Sequence, residues 1–254
     1  MPSFGYMDDE SNDGTAPIPG AGSSAPGPIG DQPPAYRLKA VPQSDWDRFR
    51  SAANANPDYD FNQKNALSRI FAAEGGMKPN PQNGAVAGIL HSTFGQLNAD
   101  NQGRLNVNDP ANVLQTYDAY FNKALHTVNR KLGVTGSEAL NEIADPDSAA
   151  AFADTIFRHG SGAGTRLIQQ SIQDTINSMS PEDCARLGID PVAVDGKMGP
   201  QTFDAFKKIS DSGYGSELRG HLADARNRAA PPRDSKGNIV NGDSPEKPRF
   251  DHFR

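Results

Sequence analysis

The sequence predicts a mainly α-helical protein, and three observations carry that prediction. Apolar residues recur at helical spacing through the middle of the chain, Asp-Pro pairs open two of the periodic runs, and glycines close them. The first run spans 61–74, with Leu67, Ile70 and Phe71 on one face and Gly75-Gly76 as the stop. The stretch 85–90 alternates briefly and reads as a short hairpin element. Asp109-Pro110 supplies an N-cap followed by proline at the first helical position. Val113, Leu114, Tyr117, Tyr120, Phe121, Val128 and Leu132 then predict one long amphipathic helix ending at Gly133. Asp145-Pro146 repeats the start signal, and Phe152, Ala153, Ile156 and Phe157 line a helix that runs to Gly160. Leu167, Ile168, Ile172 and Ile176 mark another, Pro181 opens a short one around Cys184, and a last one covers 202–209.

Both ends differ from this folded span. Residues 1–36 hold seven Pro, six Gly and five acids with no Lys or Arg, a composition that cannot bury enough surface to offset its ordering entropy. Residues 226–254 are again Pro-rich and polar and read as a tail. The 254-residue chain has 31 acids against 25 bases, a formal net charge of −6, which argues against a nucleic-acid partner. No apolar run is long enough to span a bilayer, so no membrane insertion is expected. The start of the sequence has no basic segment followed by an apolar one, so no Sec signal peptide is expected. With one cysteine, an internal disulfide and a cysteine-rich zinc site are excluded; Cys184 reads as a buried or inert thiol. His126 and His159 lie far apart without partner ligands, and no metal or organic cofactor is expected.

Glu74 is the most informative residue. It lies four positions after Ile70 and seven after Leu67, which places it on the buried face of its helix, at the negative end of the dipole. Both circumstances disfavour the charged form, and an acid kept protonated is what glycosidic cleavage requires as proton donor. The bland alternative is a boundary carboxylate that reaches to water. His91, Ser92 and Thr93 follow the glycine-rich stretch as candidate cleft residues, with hydrogen-bonded turn positions as their bland reading. Tyr117 and Tyr120 read as core rather than sugar platforms.

Ala73-Glu74-Gly75-Gly76, followed by Asn83-Gly84-Ala85-Val86-Ala87-Gly88-Ile89, resembles the active-site stretch of the lysozyme-like superfamily, and within it glycoside hydrolase family 108. Val194-Asp195-Gly196-Lys197-Met198-Gly199-Pro200-Gln201-Thr202 resembles the Asp-Gly-x-x-Gly-Pro-x-Thr signature of peptidoglycan-binding modules. A glycine-rich break at 160–164 and the Leu167/Gln169 helix precede it, in the order that resemblance implies. For the individual residues of that signature, the bland reading is a turn followed by a helix start.

The resemblance implies a lysozyme-like catalytic part over 37–145 and a packed helical peptidoglycan-binding subdomain over 146–225, between the two tails. It implies a muramidase cleaving the β-1,4 bond between N-acetylmuramic acid and N-acetylglucosamine. Glu74 is then the catalytic acid, Asn83, His91 and Thr93 line the cleft, and Asp195, Gly196, Gly199 and Thr202 bind peptidoglycan. Asn83 departs from the family pattern, which carries an Asp near that position, and an amide cannot serve as a carboxylate base. Three readings remain open. A second acid enters the cleft, with Asp100, Asp109 and Asp118 as candidates. Glu74 acts alone, as in lytic transglycosylases, whose Gly-Ala-x-Gly-Leu stretch the Asn83–Ile89 segment also resembles. Or the chain binds peptidoglycan without cleaving it. With no Sec signal, the expected routes are a dedicated secretion system or a holin. The expected role is an antibacterial effector or lysis protein acting in the periplasm or wall, and an effector implies a periplasmic immunity protein as partner.

Overall fold

The computed structural model describes residues 28–33, 40–81 and 83–230; most of both expected tails lies outside them. The described residues form nine α-helices joined by turns, a mainly helical architecture. They are α1 (Gln43–Ala55), α2 (Phe61–Glu74), α3 (His91–Asp100), α4 (Pro110–Ala124), α5 (His126–Leu132), α6 (Pro146–Ser178), α7 (Pro181–Leu187), α8 (Pro200–Ser210) and α9 (Gly215–Ala229). A 3-10 turn, Glu138–Glu142, links α5 to α6.

The start and stop signals act as elementary chemistry requires. Asp109 Oδ1 accepts from the Ala111 amide at 2.9 Å, and Asp145 accepts from the amides of Asp147 and Ser148, both at 3.2 Å, with proline in the first turn each time. Gly75, Gly133 and Gly188 close α2, α5 and α7 in the left-handed conformation. The helix expected from Asp109 to Gly133 is broken: α4 ends at Ala124 and α5 begins at His126, with Leu125 (φ −106°, ψ 15°) between them. Leu125 and Val128 are both buried, so the apolar period runs through a break that it does not reveal.

α2 is the central element. Its buried residues include Ala66, Leu67, Ile70, Phe71, Ala72 and Ala73, a wider face than an edge helix shows. It packs along α6, α6 packs along α9, and α1 packs along α4. Phe71 stacks on Phe49 of α1 at a centroid distance of 4.2 Å. Two stretches assigned to the tails join this core. Ile29 is buried, its amide donates to Asn54 Oδ1 at 3.0 Å, and Trp46 Nε1 donates to the Gly30 carbonyl at 3.2 Å. At the other end α9 continues to Ala229, and Arg226 is buried against Asp154 of α6, to which its guanidinium donates.

α6 consists of two helical segments meeting at Gly160, whose φ of 77° and ψ of 164° only glycine adopts readily. The bend is sharp. A Cβ on Gly164 would stand 2.7 Å from the Thr155 carbonyl oxygen, so the second segment folds back closely on the first. The boundary drawn at 145/146 falls where α6 begins. Phe152 of that helix meets Phe203 and Phe206 of α8 at 5.6 and 5.0 Å, and one continuous core contains residues from both sides of the boundary.

Candidate active site

Glu74 is the last residue of α2, and its exposure is 9%. The chain reverses at Gly75 and Gly76, then enters a small hairpin. Ile89 N donates to the Val86 carbonyl at 2.8 Å and Val86 N donates to that of Ile89 at 3.1 Å. Between them Ala87 and Gly88 both have positive φ, 49° and 75°, the pair that a type I′ turn requires. The hairpin element expected at 85–90 is therefore present as a single antiparallel bridge. It is fixed from below: the Tyr117 hydroxyl donates to the Ala87 carbonyl at 2.9 Å.

The turn lies directly against Glu74. A Cβ on Gly88 would stand 2.5 Å from Glu74 Cγ, 2.6 Å from Cδ and 2.7 Å from Phe157 Cε1. Carbon atoms at ordinary contact are ~3.5–4.0 Å apart, so a side chain at 88 is incompatible with the present position of Glu74. Phe157 is itself wedged edge-on against Tyr117 and Tyr120, with ring centroids 5.2 Å from each. Tyr120 donates to the Ile156 carbonyl at 2.9 Å, and burial pushes its hydroxyl up to about 12.

Glu74 opens into a cavity of about 470 Å³, within the size range of small-ligand sites. The hairpin, through Asn83, Ala85 and Gly88–Leu90, forms one wall; α3 contributes Thr93, Gln96 and Leu97. Tyr120, Lys123 and Ala124 of α4 and 157–161 of α6 line it as well, and Asn80 completes the lining. Glu74 is the sole carboxylate among these residues.

The residues singled out in the sequence separate into three groups. Glu74, Asn83 and Thr93 come together in the cavity. Asn83 is exposed, and its Oδ1 accepts from the Ala85 amide at 3.0 Å, holding the approach to the hairpin. His91 is exposed at the first turn of α3 and is not part of the lining. Tyr117 is core, whereas Tyr120 lines the cavity.

None of the three further acids reaches the cavity. Asp109 caps α4 and pairs with Arg48, and Asp100 pairs with Lys123 at 3.1 Å. Asp118 accepts from the Ser137 amide at 3.2 Å, from the Ser137 and Tyr59 hydroxyls, and from Gln63 Nε2 at 3.4 Å. Burial raises its pKa against the opposing effect of those donors.

Asp195, Gly196 and Thr202 form a third cluster, and they converge on Gln169 of α6. Gln169 Nε2 donates to Asp195 Oδ1 at 2.9 Å and lies 3.3 Å from Thr202 Oγ1, while its Oε1 accepts from the Gly196 amide at 2.8 Å. Asp195 Oδ1 also accepts from the Lys197 amide at 2.8 Å, and these bonds hold its carboxyl below the usual range. Gly199 is the N-cap position of α8. In this structure the signature residues fasten one loop to α6. Gln169 is the residue that binds them, and its place two positions after Leu167 was the signal available for it.

Sequence reasoning missed Lys123, Arg158 and Gln96 as cavity residues, and it set His159 aside as a metal ligand without placing it in the site. Among the described residues no three His, Cys, Asp or Glu side chains are grouped to hold a metal ion. No helix among them is long and apolar enough to cross a membrane. Cys184 is half-buried against the core, with Sγ 4.0 Å from the Ile176 carbonyl. Scans against protein-family models, the curated proteins and the solved structures return no match.

Proposed function

We propose that the protein cleaves the glycan strand of peptidoglycan at the β-1,4 bond between N-acetylmuramic acid and N-acetylglucosamine, with Glu74 as proton donor, on a lysozyme-like helical scaffold. One observation carries the reading: a nearly buried carboxylate at the end of a core helix faces a 470 Å³ cavity, and a glycine hairpin leaves it room. The protonated Glu74 carboxyl gives its proton to the bridging oxygen as the C1–O bond breaks, and positive charge develops on the sugar ring. In hydrolysis a water then attacks C1. The Thr93 hydroxyl and the Asn83 amide are two of the polar groups of the lining on which such a water can be held.

A second reading is favoured by a specific feature, the absence of any other carboxylate among the lining residues. Without a second acid to activate water, the muramyl 6-hydroxyl attacks C1 itself. Glu74, now ionised, takes the hydroxyl proton and a 1,6-anhydro ring closes. The reading also covers role and delivery: an antibacterial effector or lysis protein, exported by a dedicated system or a holin, with an immunity protein as the expected partner of an effector.

The test is a mass-spectrometric digest of purified peptidoglycan by the wild type and by Glu74→Gln. Reducing muropeptides from the wild type alone are the expected result, and anhydro-muropeptides select the second reading. Solubilised product from both proteins removes Glu74 from the chemistry. Product from neither leaves a wall-binding protein.

A further inference from the structure

The turn that faces Glu74 is not one that its own residues select. A type I′ turn holds both central residues at positive φ and is filled by preference with Asn-Gly, Asp-Gly or Gly-Gly. Here the first central position is Ala87, at φ 49°, one of two residues other than glycine with positive φ among the described residues. A Cβ disfavours that conformation, so the surrounding structure has to retain it. Ala87 is 1% exposed, and its carbonyl accepts from the hydroxyl of Tyr117 at 2.9 Å. Tyr117 belongs to α4, is fully buried, and is not part of the cavity lining.

Tyr117 bears on a second neighbour of the acid as well. Its ring meets that of Phe157 nearly edge-on, at 5.2 Å and 78°, and on another side it meets Phe49 at 6.5 Å. The point where a Cβ on Gly88 would stand is within 2.7 Å of both Glu74 and Phe157, so turn, acid and ring come together there. We propose that Tyr117 is the positioning residue of the candidate acid: its hydroxyl tethers Ala87, its ring backs Phe157, and together these fix the place of the Glu74 carboxyl from outside the cavity. The proposal rests on the glycan-cleavage reading for the reaction and adds to it a residue that acts through the hairpin. A buried tyrosine needs a partner for its hydroxyl, and the bland account of this bond is that it satisfies two buried polar groups. The two accounts differ in what loss of the hydroxyl does at Glu74.

The test is Tyr117→Phe in the full chain, which keeps the ring against Phe157 and removes the tether. Tyr59→Phe is the matched control. It too deletes the hydroxyl of a buried tyrosine, one that donates to Asp118, and neither residue of that pair lines the cavity. On soluble glycan oligomers prepared from peptidoglycan, Tyr117→Phe is expected to lower kcat about 10- to 100-fold with KM within about 2-fold of the wild type, the pattern of a misplaced group and not of lost binding. Tyr59→Phe is expected to keep the wild-type kcat. Glycine at 87 holds positive φ without a tether, so in an Ala87→Gly background Tyr117→Phe is expected to cost roughly 3-fold or more less in kcat. Two readouts need no activity. Amide exchange at Val86 and Ile89, whose N–H groups close the hairpin, is expected to quicken roughly 10-fold or more in Tyr117→Phe and not in Tyr59→Phe. The carboxyl carbon NMR signal of Glu74, assigned by its loss in Glu74→Gln, is expected to move in Tyr117→Phe and to stay in Tyr59→Phe.

A wild-type kcat in Tyr117→Phe overturns the proposal. So does an equal fall in Tyr59→Phe, an equal cost in both backgrounds at 87, unchanged exchange at the hairpin, or a Glu74 signal that does not move. The two readings fail separately. Cleavage by the wild type that Tyr117→Phe leaves untouched keeps the muramidase and removes the positioning residue. A wild type that cleaves nothing removes the enzyme, and the Glu74 signal then decides: movement in Tyr117→Phe alone keeps the coupling of Tyr117 to the acid, and its absence removes it.

Discussion

Gly88→Ala tests the contact on which the candidate site depends. The added methyl would lie 2.5–2.7 Å from Glu74 and Phe157, and the residue has φ +75°. Holding alanine in a left-handed conformation costs about 1–2 kcal/mol, and overpacking adds about 1–3, for a total of roughly 2–5 kcal/mol. Phe157 is gripped between two tyrosines, so the Glu74 side chain is the part that gives way. The carboxyl is then displaced, and on the proposed reading peptidoglycan cleavage is expected to be lost along with stability. Gly84→Ala is the matched control. Its φ is +70° but a Cβ there meets nothing within 4 Å, so only the backbone cost of about 1–2 kcal/mol applies. For a domain of this size each kcal/mol moves Tm by about 2–4 °C, which makes the two variants separable by calorimetry. Equal losses of Tm in both variants, with cleavage intact in Gly88→Ala, would refute the reasoning.

Three further outcomes follow from the geometry. Gln169→Leu removes the group that binds Asp195, Gly196 and Thr202; it is expected to cost about 1–3 kcal/mol, with loss of amide-exchange protection confined to 194–202. Asp154→Ala leaves the Arg226 guanidinium buried with one partner fewer and is expected to cost about 3–5 kcal/mol, read as a fall in the urea midpoint. Asp118 has a raised pKa in the folded state, so its favourable contribution is complete below the ordinary carboxylate value and is lost as pH rises through the folded one. Wild-type stability is therefore expected to carry a component that falls as pH rises from that lower limit. Asp118→Asn should flatten that component in urea midpoints measured from mildly acid to neutral pH.

What could be read in advance was what local chemistry determines. Asp-Pro starts and glycine stops act within a few residues, which is why the C-terminal end of α2, the start of α4 and the start of α6 are visible in the sequence. Glu74 was legible for a related reason, since its helix has an apolar face and a hard stop directly after it. α3 was not legible, because Leu97 is its one buried residue and a helix with so narrow a footing has no period to detect. α1 and α9 escaped notice although Trp46, Phe49 and Ala53, or Leu218, Leu222 and Ala225, do share faces. Each is a mostly polar segment with few apolar positions, so its period is weak. The α4 and α6 part of the lining was out of reach altogether. Lys123 and Arg158 are brought to Glu74 by the packing of α4 and α6, and no spacing rule relates them.

The bend at Gly160 has a consequence for how the protein comes to exist. Phe157 follows Glu74 by 83 residues, and the wall it belongs to is the end of a helical segment that continues, past the bend, into the helix gripped by α9. A growing chain that has already released Glu74 and its hairpin still lacks half of the cavity. At ordinary rates of synthesis that interval lasts about 4–17 seconds. Fragments ending before Gly160 have Glu74 without the α6 part of its cavity, so on the proposed glycan-cleavage reading they are expected to be inactive however well their own helices form.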